Sequence, residues 1–146
     1  MNNSNGPFLI VDDEPEMCWT LDLILKRVGG VCRTASNARE AMALAESQSF
    51  RVAFLDAKLP DDEGLNLARR LQASNPGMRI VIVSGFFYHD DPIITGAIQS
   101  GLISAFVAKP FEHEEILRAI GSPHPAARNR KRPPVIQGKD SIVPAP

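Results

Sequence analysis

Residues 51–64 read RVAFLDAKLPDDEG, and the fold is decided in this stretch. Residues 51–55 are mostly apolar and read as a short strand that stops at Asp56. Residues 58–64 read as a loop, and residues 65–73 as a helix. An aspartate set where a strand ends and a loop begins is the feature to trace outward.

Upstream, the same alternation appears twice. Phe8-Leu9-Ile10-Val11 is a run fit for a buried strand, followed by Asp12-Asp13-Glu14-Pro15. Proline is well placed in a first helical turn, and Met17, Leu21, Ile24, Leu25 and Val28 recur at helical spacing before Gly29-Gly30. Residues 31–35 form a second strand. Ser36-Asn37 supplies an N-cap, with Glu40 three residues after Asn37, to a helix over residues 38–46. Downstream, Asn75-Pro76-Gly77 marks a turn, and Arg79-Ile80-Val81-Ile82-Val83 is the most strand-like segment of the chain, stopped by Ser84-Gly85. A helix over residues 92–100, a strand over 105–107, Lys109-Pro110 and a helix over 112–120 complete the series.

Five β-α units in about 120 residues predict an α/β domain: a doubly wound, five-stranded parallel sheet with helices on both faces. Ligands of such sheets bind at the carboxyl ends of the strands. Strand one ends in Asp12-Asp13, strand three in Asp56 and strand four in Ser84, while Lys109 follows strand five. Carboxylates brought so close repel unless a cation lies between them. An all-oxygen site suits a hard cation such as Mg²⁺, whose shell waters and phosphate oxygens complete. Lysine suits a phosphate oxygen as a compact point charge. A carboxylate on a strand end can attack phosphorus.

These residues, in this order, resemble the receiver domain of two-component response regulators. The resemblance covers roughly residues 8–120. It rests on Asp12-Asp13, on Leu55-Asp56-Ala57-Lys58-Leu59-Pro60 with Gly64, on Ser84-Gly85, and on Lys109-Pro110-Phe111. It implies a flavodoxin-like sheet of strand order 2-1-3-4-5. It implies Asp56 as phosphoacceptor, with Asp12, Asp13, Asp56 and the backbone carbonyl of Lys58 as Mg²⁺ ligands. Lys109 and Ser84 would bind the phosphoryl group, Ser84 moving toward it on activation, and Phe106 would be the aromatic that swings inward. A plain core position is the other reading of Phe106. The implied donor is a sensor histidine kinase, a phosphotransfer protein or a small phosphodonor. The implied homodimer or target surface is the fourth helix, fifth strand and fifth helix. The protein would be a phosphoacceptor regulator rather than an enzyme, assisting its own phosphorylation and dephosphorylation.

Some features are the chain's own. Lys58 sets a long cation two residues after Asp56, either as a modulator contacting the phosphoryl group or as a solvated loop lysine. Phe86-Phe87-Tyr88-His89 is strongly aromatic for a loop, either a partner surface or residues packing under the fourth helix. Trp19 is expected to pack, and can report on the pocket by fluorescence. His89, His113 and His124 are expected at the surface.

Other classes fit less well. A haloacid-dehalogenase-type phosphatase needs a second aspartate two residues after its nucleophile, where Lys58 stands. A flavin- or nucleotide-binding domain would want a phosphate-cradling loop after strand one, where Asp12-Asp13-Glu14 would repel phosphate. A phosphorylation-independent pseudo-receiver, a binding module without the chemistry, remains as the alternative.

Charge divides the chain. Residues 1–121 carry 11 Lys and Arg against 16 Asp and Glu, and residues 122–146 carry 5 against 1. Six of the 12 prolines also fall after residue 121. We therefore expect a domain over residues 1–121 and a Pro-rich basic linker or disordered tail over 122–146. The cluster Arg128, Arg130, Lys131 and Arg132 has no helix or aromatic platform with it, so no nucleic-acid binding is expected of the receiver. No apolar run is long enough for a membrane span and no secretory signal is visible, which makes the cytoplasm the expected location. Cys18 and Cys32 lack metal-type spacing and read as free thiols.

Overall fold

A computed structural model of the chain describes residues 7–121. Its elements are β1 (Phe8–Val11), α1 (Pro15–Lys26), β2 (Cys32–Ala35), α2 (Ala38–Ser47), β3 (Val52–Leu55), α3 (Gly64–Ser74), β4 (Arg79–Ser84), α4 (Pro92–Gln99), β5 (Ala105–Ala108) and α5 (His113–Ile120). The sheet has the expected order, β2-β1-β3-β4-β5, and every neighbouring pair is parallel.

β1, β3, β4 and β5 are mostly apolar because both faces of the sheet are covered there, while the edge strand β2 exposes Arg33 and Thr34. Leu9, Val11, Ala53, Leu55, Ile80, Ile82 and Phe106 pack on one side against α2, α3 and α4, through Ala41, Leu67, Leu71 and Ile94 among others. Their strand neighbours Phe8, Ile10, Val52, Phe54, Val81, Val83 and Val107 pack on the other side against Leu21, Ile24 and Leu25 of α1 and Ile116, Ala119 and Ile120 of α5. The period-2 alternation of the strands thus sorts one hydrophobic run into two cores.

Helix ends follow local chemistry. Gly29 takes φ +81 just beyond α1, the left-handed conformation that a glycine adopts without a Cβ penalty. Asn37 caps α2 as expected, its Oδ1 accepting from the Glu40 N–H at 2.8 Å. The reciprocal arm lands one residue earlier than a capping box places it. Glu40 Oε1 accepts from the backbone N–H and hydroxyl of Ser36, at 2.9 and 3.0 Å.

Two strands run one residue beyond the expected ends. β4 reaches Ser84 and β5 reaches Ala108 because these residues pair with each other across the sheet. β2 begins at Cys32 rather than Val31, which is exposed. Residues 122–146, where the tail was expected, lie outside the described residues.

Candidate phosphoacceptor and metal site

Register builds the site. Val11 pairs with Leu55, so the next residues, Asp12 and Asp56, leave adjacent strands side by side. One oxygen from each of Asp12, Asp13 and Asp56 lies within 4.8 Å of the others. Asp12 is only 3% exposed, Asp56 is partly buried and Asp13 is exposed. Three hard oxygen donors at that spacing, open to water on one side, fit an Mg²⁺ ion that keeps several of its waters.

Lys109 crosses the sheet edge from the end of β5. Its Nζ lies 2.9 Å from Asp12 Oδ2, and 3.5 Å from both Asp56 Oδ2 and Glu14 Oε1. Burial alone would lower the pKa of this ammonium. The hydrogen bond to Asp12 and the charges of Asp12, Asp56 and Glu14 outweigh that, and the net shift is upward. Burial raises the Asp12 carboxyl, and the neighbouring Asp56 charge pushes the same way. The Glu14 N–H and Lys109 pull it back, leaving a net rise. The Glu14 N–H donates to Asp12 Oδ1 at 2.9 Å, and the Cys18 thiol donates to the Asp12 carbonyl at 3.3 Å. Asp12 is thereby held in place from three sides.

Ser84 is 1% exposed at the end of β4. Its carbonyl accepts from the Lys109 N–H at 3.1 Å and its hydroxyl accepts from the Phe86 N–H at 3.0 Å. The loop after Asp56 is drawn in by Gly64, whose N–H donates to the Ala57 carbonyl at 2.7 Å. A Cβ on Gly64 would stand 2.1 Å from the Asp56 carbonyl oxygen, so only glycine allows this approach.

Comparison with known proteins identifies the family. The profile of the response regulator receiver domain matches residues 8–121. The chain belongs to this family. Receiver domains are the phosphorylation-dependent switches of two-component systems, parts of regulators rather than a classical enzyme family. The receiver is 32% identical to the alginate biosynthesis transcriptional regulatory protein AlgB of Pseudomonas aeruginosa, over 79% of this chain and 25% of that protein. It is 34% identical to the probable transcriptional regulatory protein TcrX of Mycobacterium tuberculosis, over 77% of this chain and 48% of that protein. It thus spans about a quarter to a half of these relatives' length. Among solved structures, a CheY-like receiver domain protein from Methanospirillum hungatei aligns with TM-score 0.71 and 29% identity, over 78% of this chain and 89% of that one. NtrX from Brucella abortus, solved in complex with ATP, aligns with TM-score 0.72 and 26% identity, over 86% of this chain and 29% of that one.

The receiver's less conventional residues cluster at the pocket mouth. The Lys58 ammonium sits 3.2 Å from Glu63 Oε2 and 4.3 Å from the centre of the Phe86 ring, while the Lys58 N–H reaches Asp56 Oδ1 at 3.4 Å. The Lys58–Phe86 stack therefore joins the two loops flanking Asp56. The aromatic run divides between its two readings. Phe87 packs against the core, while Phe86 and Tyr88 are exposed. Phe106 is 7% exposed, inside the core. Its ring meets His89 edge to face, with centroids 5.0 Å apart. Trp19 departs from the packing expected of it. It is 65% exposed, on the wall of a cavity of about 420 Å³ that Asp12, Asp13 and Cys18 also line. It precedes Leu21 by two residues, which at 3.6 residues per turn sets it on the opposite side of α1 from the buried stripe of Leu21, Ile24 and Leu25.

Cys18 and Cys32 are free, as expected. Burial raises both thiols, Cys32 to about 12 with help from Asp22. Sequence reading missed Glu14 as a partner of Lys109. It also missed Asp61, whose carboxylate receives the backbone N–H groups of Ala38 and Arg39 at 2.8 and 3.0 Å. An aspartate in a turn-rich loop carries no signal of a partner 23 residues away.

Proposed function

We propose that this chain is a signalling switch that accepts a phosphoryl group on Asp56 and changes its partner binding or controls an output domain in response. The observation that carries this reading is Lys109 set between Asp12 and Asp56, beside the three-carboxylate cluster. A carboxylate oxygen of Asp56 attacks phosphorus. The bond from phosphorus to the donor's imidazole nitrogen breaks, and its electron pair leaves with the imidazole. Lys109 balances negative charge on a phosphoryl oxygen and the Ser84 hydroxyl donates to another. Asp12, Asp13, Asp56 and the Lys58 backbone carbonyl would hold Mg²⁺. When bound, that ion neutralises phosphoryl oxygens and relieves repulsion among the carboxylates.

The donor is a sensor histidine kinase or a phosphotransfer protein. The receiver works in the cytoplasm, over residues 1–121, with 122–146 as a Pro-rich basic linker or tail. Ser84 and Phe106 form the switch, and the face of α4, β5 and α5 is the surface for a second copy or a target protein. Lys58 modulates the phosphoryl lifetime. Stacked on Phe86, it screens the pocket from water, so Lys58→Ala is expected to shorten that lifetime roughly two- to fivefold. An unchanged dephosphorylation rate removes Lys58 from this role.

Intact-mass spectrometry after incubation with Mg²⁺ and acetyl phosphate tests the central claim. One added phosphoryl group is expected, absent with EDTA and in Asp56→Asn. No adduct in the wild type, together with no Mg²⁺ binding, would leave a phosphorylation-independent binding module.

A further inference from the structure

The loop that leaves Asp56 is tied down at three places. At its base, Gly64 bonds Ala57, and Lys58 bridges to Glu63. Inside, the Leu59 N–H donates to the Asp62 carbonyl at 3.0 Å. Asp62 fastens the loop to α3, with its carboxylate 3.2 Å from Arg70 Nη1 and 3.3 Å from Asn66 Nδ2. At its tip, Asp61 reaches out of the loop to α2. Its Oδ1 accepts from Ala38 N–H at 2.8 Å and its Oδ2 from Arg39 N–H at 3.0 Å. Both carboxylate oxygens are spent on the first two residues of α2. A carboxylate there is favoured by the exposed N–H groups and the helix dipole together. Asn37 separately satisfies the Glu40 N–H from within the α2 segment.

The only residues between Asp56 and this loop tip are 57–60, and Lys58 is among them. We propose that Asp61 is a positioning residue for the cation site: its fork onto α2 fixes the loop so that the Lys58 backbone carbonyl stands ready as a ligand, which couples cation binding to the α2 N-terminus. This rests on the receiver reading of Asp12, Asp13, Asp56 and Lys58 as the Mg²⁺ ligands. Mg²⁺ demands near-ideal ligand placement, and groups that hold a ligand from behind affect affinity almost as the ligands do. The coupling runs both ways. If the anchored loop favours the ion, the bound ion must favour the anchored loop.

The site's neighbourhood supplies its own probe, because Trp19 shares a cavity wall with Asp12 and Asp13. The full chain is titrated with Mg²⁺, following Trp19 fluorescence and backbone amide resonances, as wild type, Asp61→Ala, Asp61→Asn and Asn37→Ala. Asn37→Ala is the control, since it removes an acceptor from the same helix end without touching the loop. Asp61→Ala is expected to raise the Mg²⁺ Kd about three- to tenfold, with Asp61→Asn between it and wild type. Asn37→Ala is expected to stay within about twofold even where its melting temperature falls as far. In the wild type, Mg²⁺ is expected to slow hydrogen exchange at the Ala38 and Arg39 amides, a measurement that needs no variant to fold. Equal Kd values for wild type and Asp61→Ala, equal weakening by Asn37→Ala, or Mg²⁺ binding without added protection would each overturn the inference alone. A wild type that binds no Mg²⁺ would overturn the receiver reading as well.

Discussion

Single positions set the tolerances of the site. Gly64 is the tightest, because a Cβ there meets the Asp56 carbonyl oxygen and the Ala57 Cα. Gly64→Ala is therefore expected to destabilise the fold by about 1–3 kcal/mol, through displacement of the loop backbone. Chemical denaturation measures it, and a variant as stable as wild type would show that the loop yields freely. Gly85 is the contrast. A Cβ there reaches only ordinary contact distance from Lys109, 3.8 Å from its Cβ. The glycine after Asp56 could be read from the resemblance, but the closeness that makes it obligatory is visible only once α3 is docked. Likewise, Lys58 announced itself as a cation near the acceptor, whereas its stacking on Phe86 required two loops 28 residues apart to meet.

Among the elements, α2 shows how local and distant caps combine. Asn37→Ala is expected to cost about 1 kcal/mol, read by thermal or urea denaturation. Asp61 and Glu40 add a pH dependence. Their N–H donors, Ala38 for Asp61 and Ser36 for Glu40, hold both carboxyls below their ordinary values of 3.8 and 4.5. A carboxyl depressed in the folded state contributes stability that is full above its unfolded pKa and lost as pH falls through the folded one. The Ser36, Ala38 and Arg39 amides are thus expected to stay protected at pH 6 and to lose protection below about pH 4, earlier than the core strands. Hydrogen exchange across that range checks it, and pH-independent protection would contradict it. The Asn37 cap was legible because N-caps act over three residues. The Asp61 cap was not, because its partners are distant in sequence.

On the scale of the whole molecule, the strand ends gather like charges that folding alone does not compensate. Lys109 is the one cation whose ammonium contacts both Asp12 and Asp56 among the described residues. Mg²⁺ is expected to stabilise the fold, by about 2.7 kcal/mol at a hundredfold excess over its Kd, and Asp56→Asn to lose most of that gain. Calorimetry with and without Mg²⁺ reads it, and a wild type whose melting temperature ignores the ion would count against the metal site. The sequence by itself determined the alternation of strands and helices, the parallel sheet, and the positions of Asp12, Asp13, Asp56, Ser84 and Lys109 at strand ends. Hydrophobic period and turn residues are local signals, and the order of elements leaves few ways to wind a sheet. Tertiary structure alone decided which side chains meet. The outward turn of Trp19, the Lys58–Phe86 stack, the Phe106–His89 contact and the Asp61 fork each depend on the angle at which two separately specified elements dock. That angle is set by packing across the two cores, which no local stretch of sequence encodes.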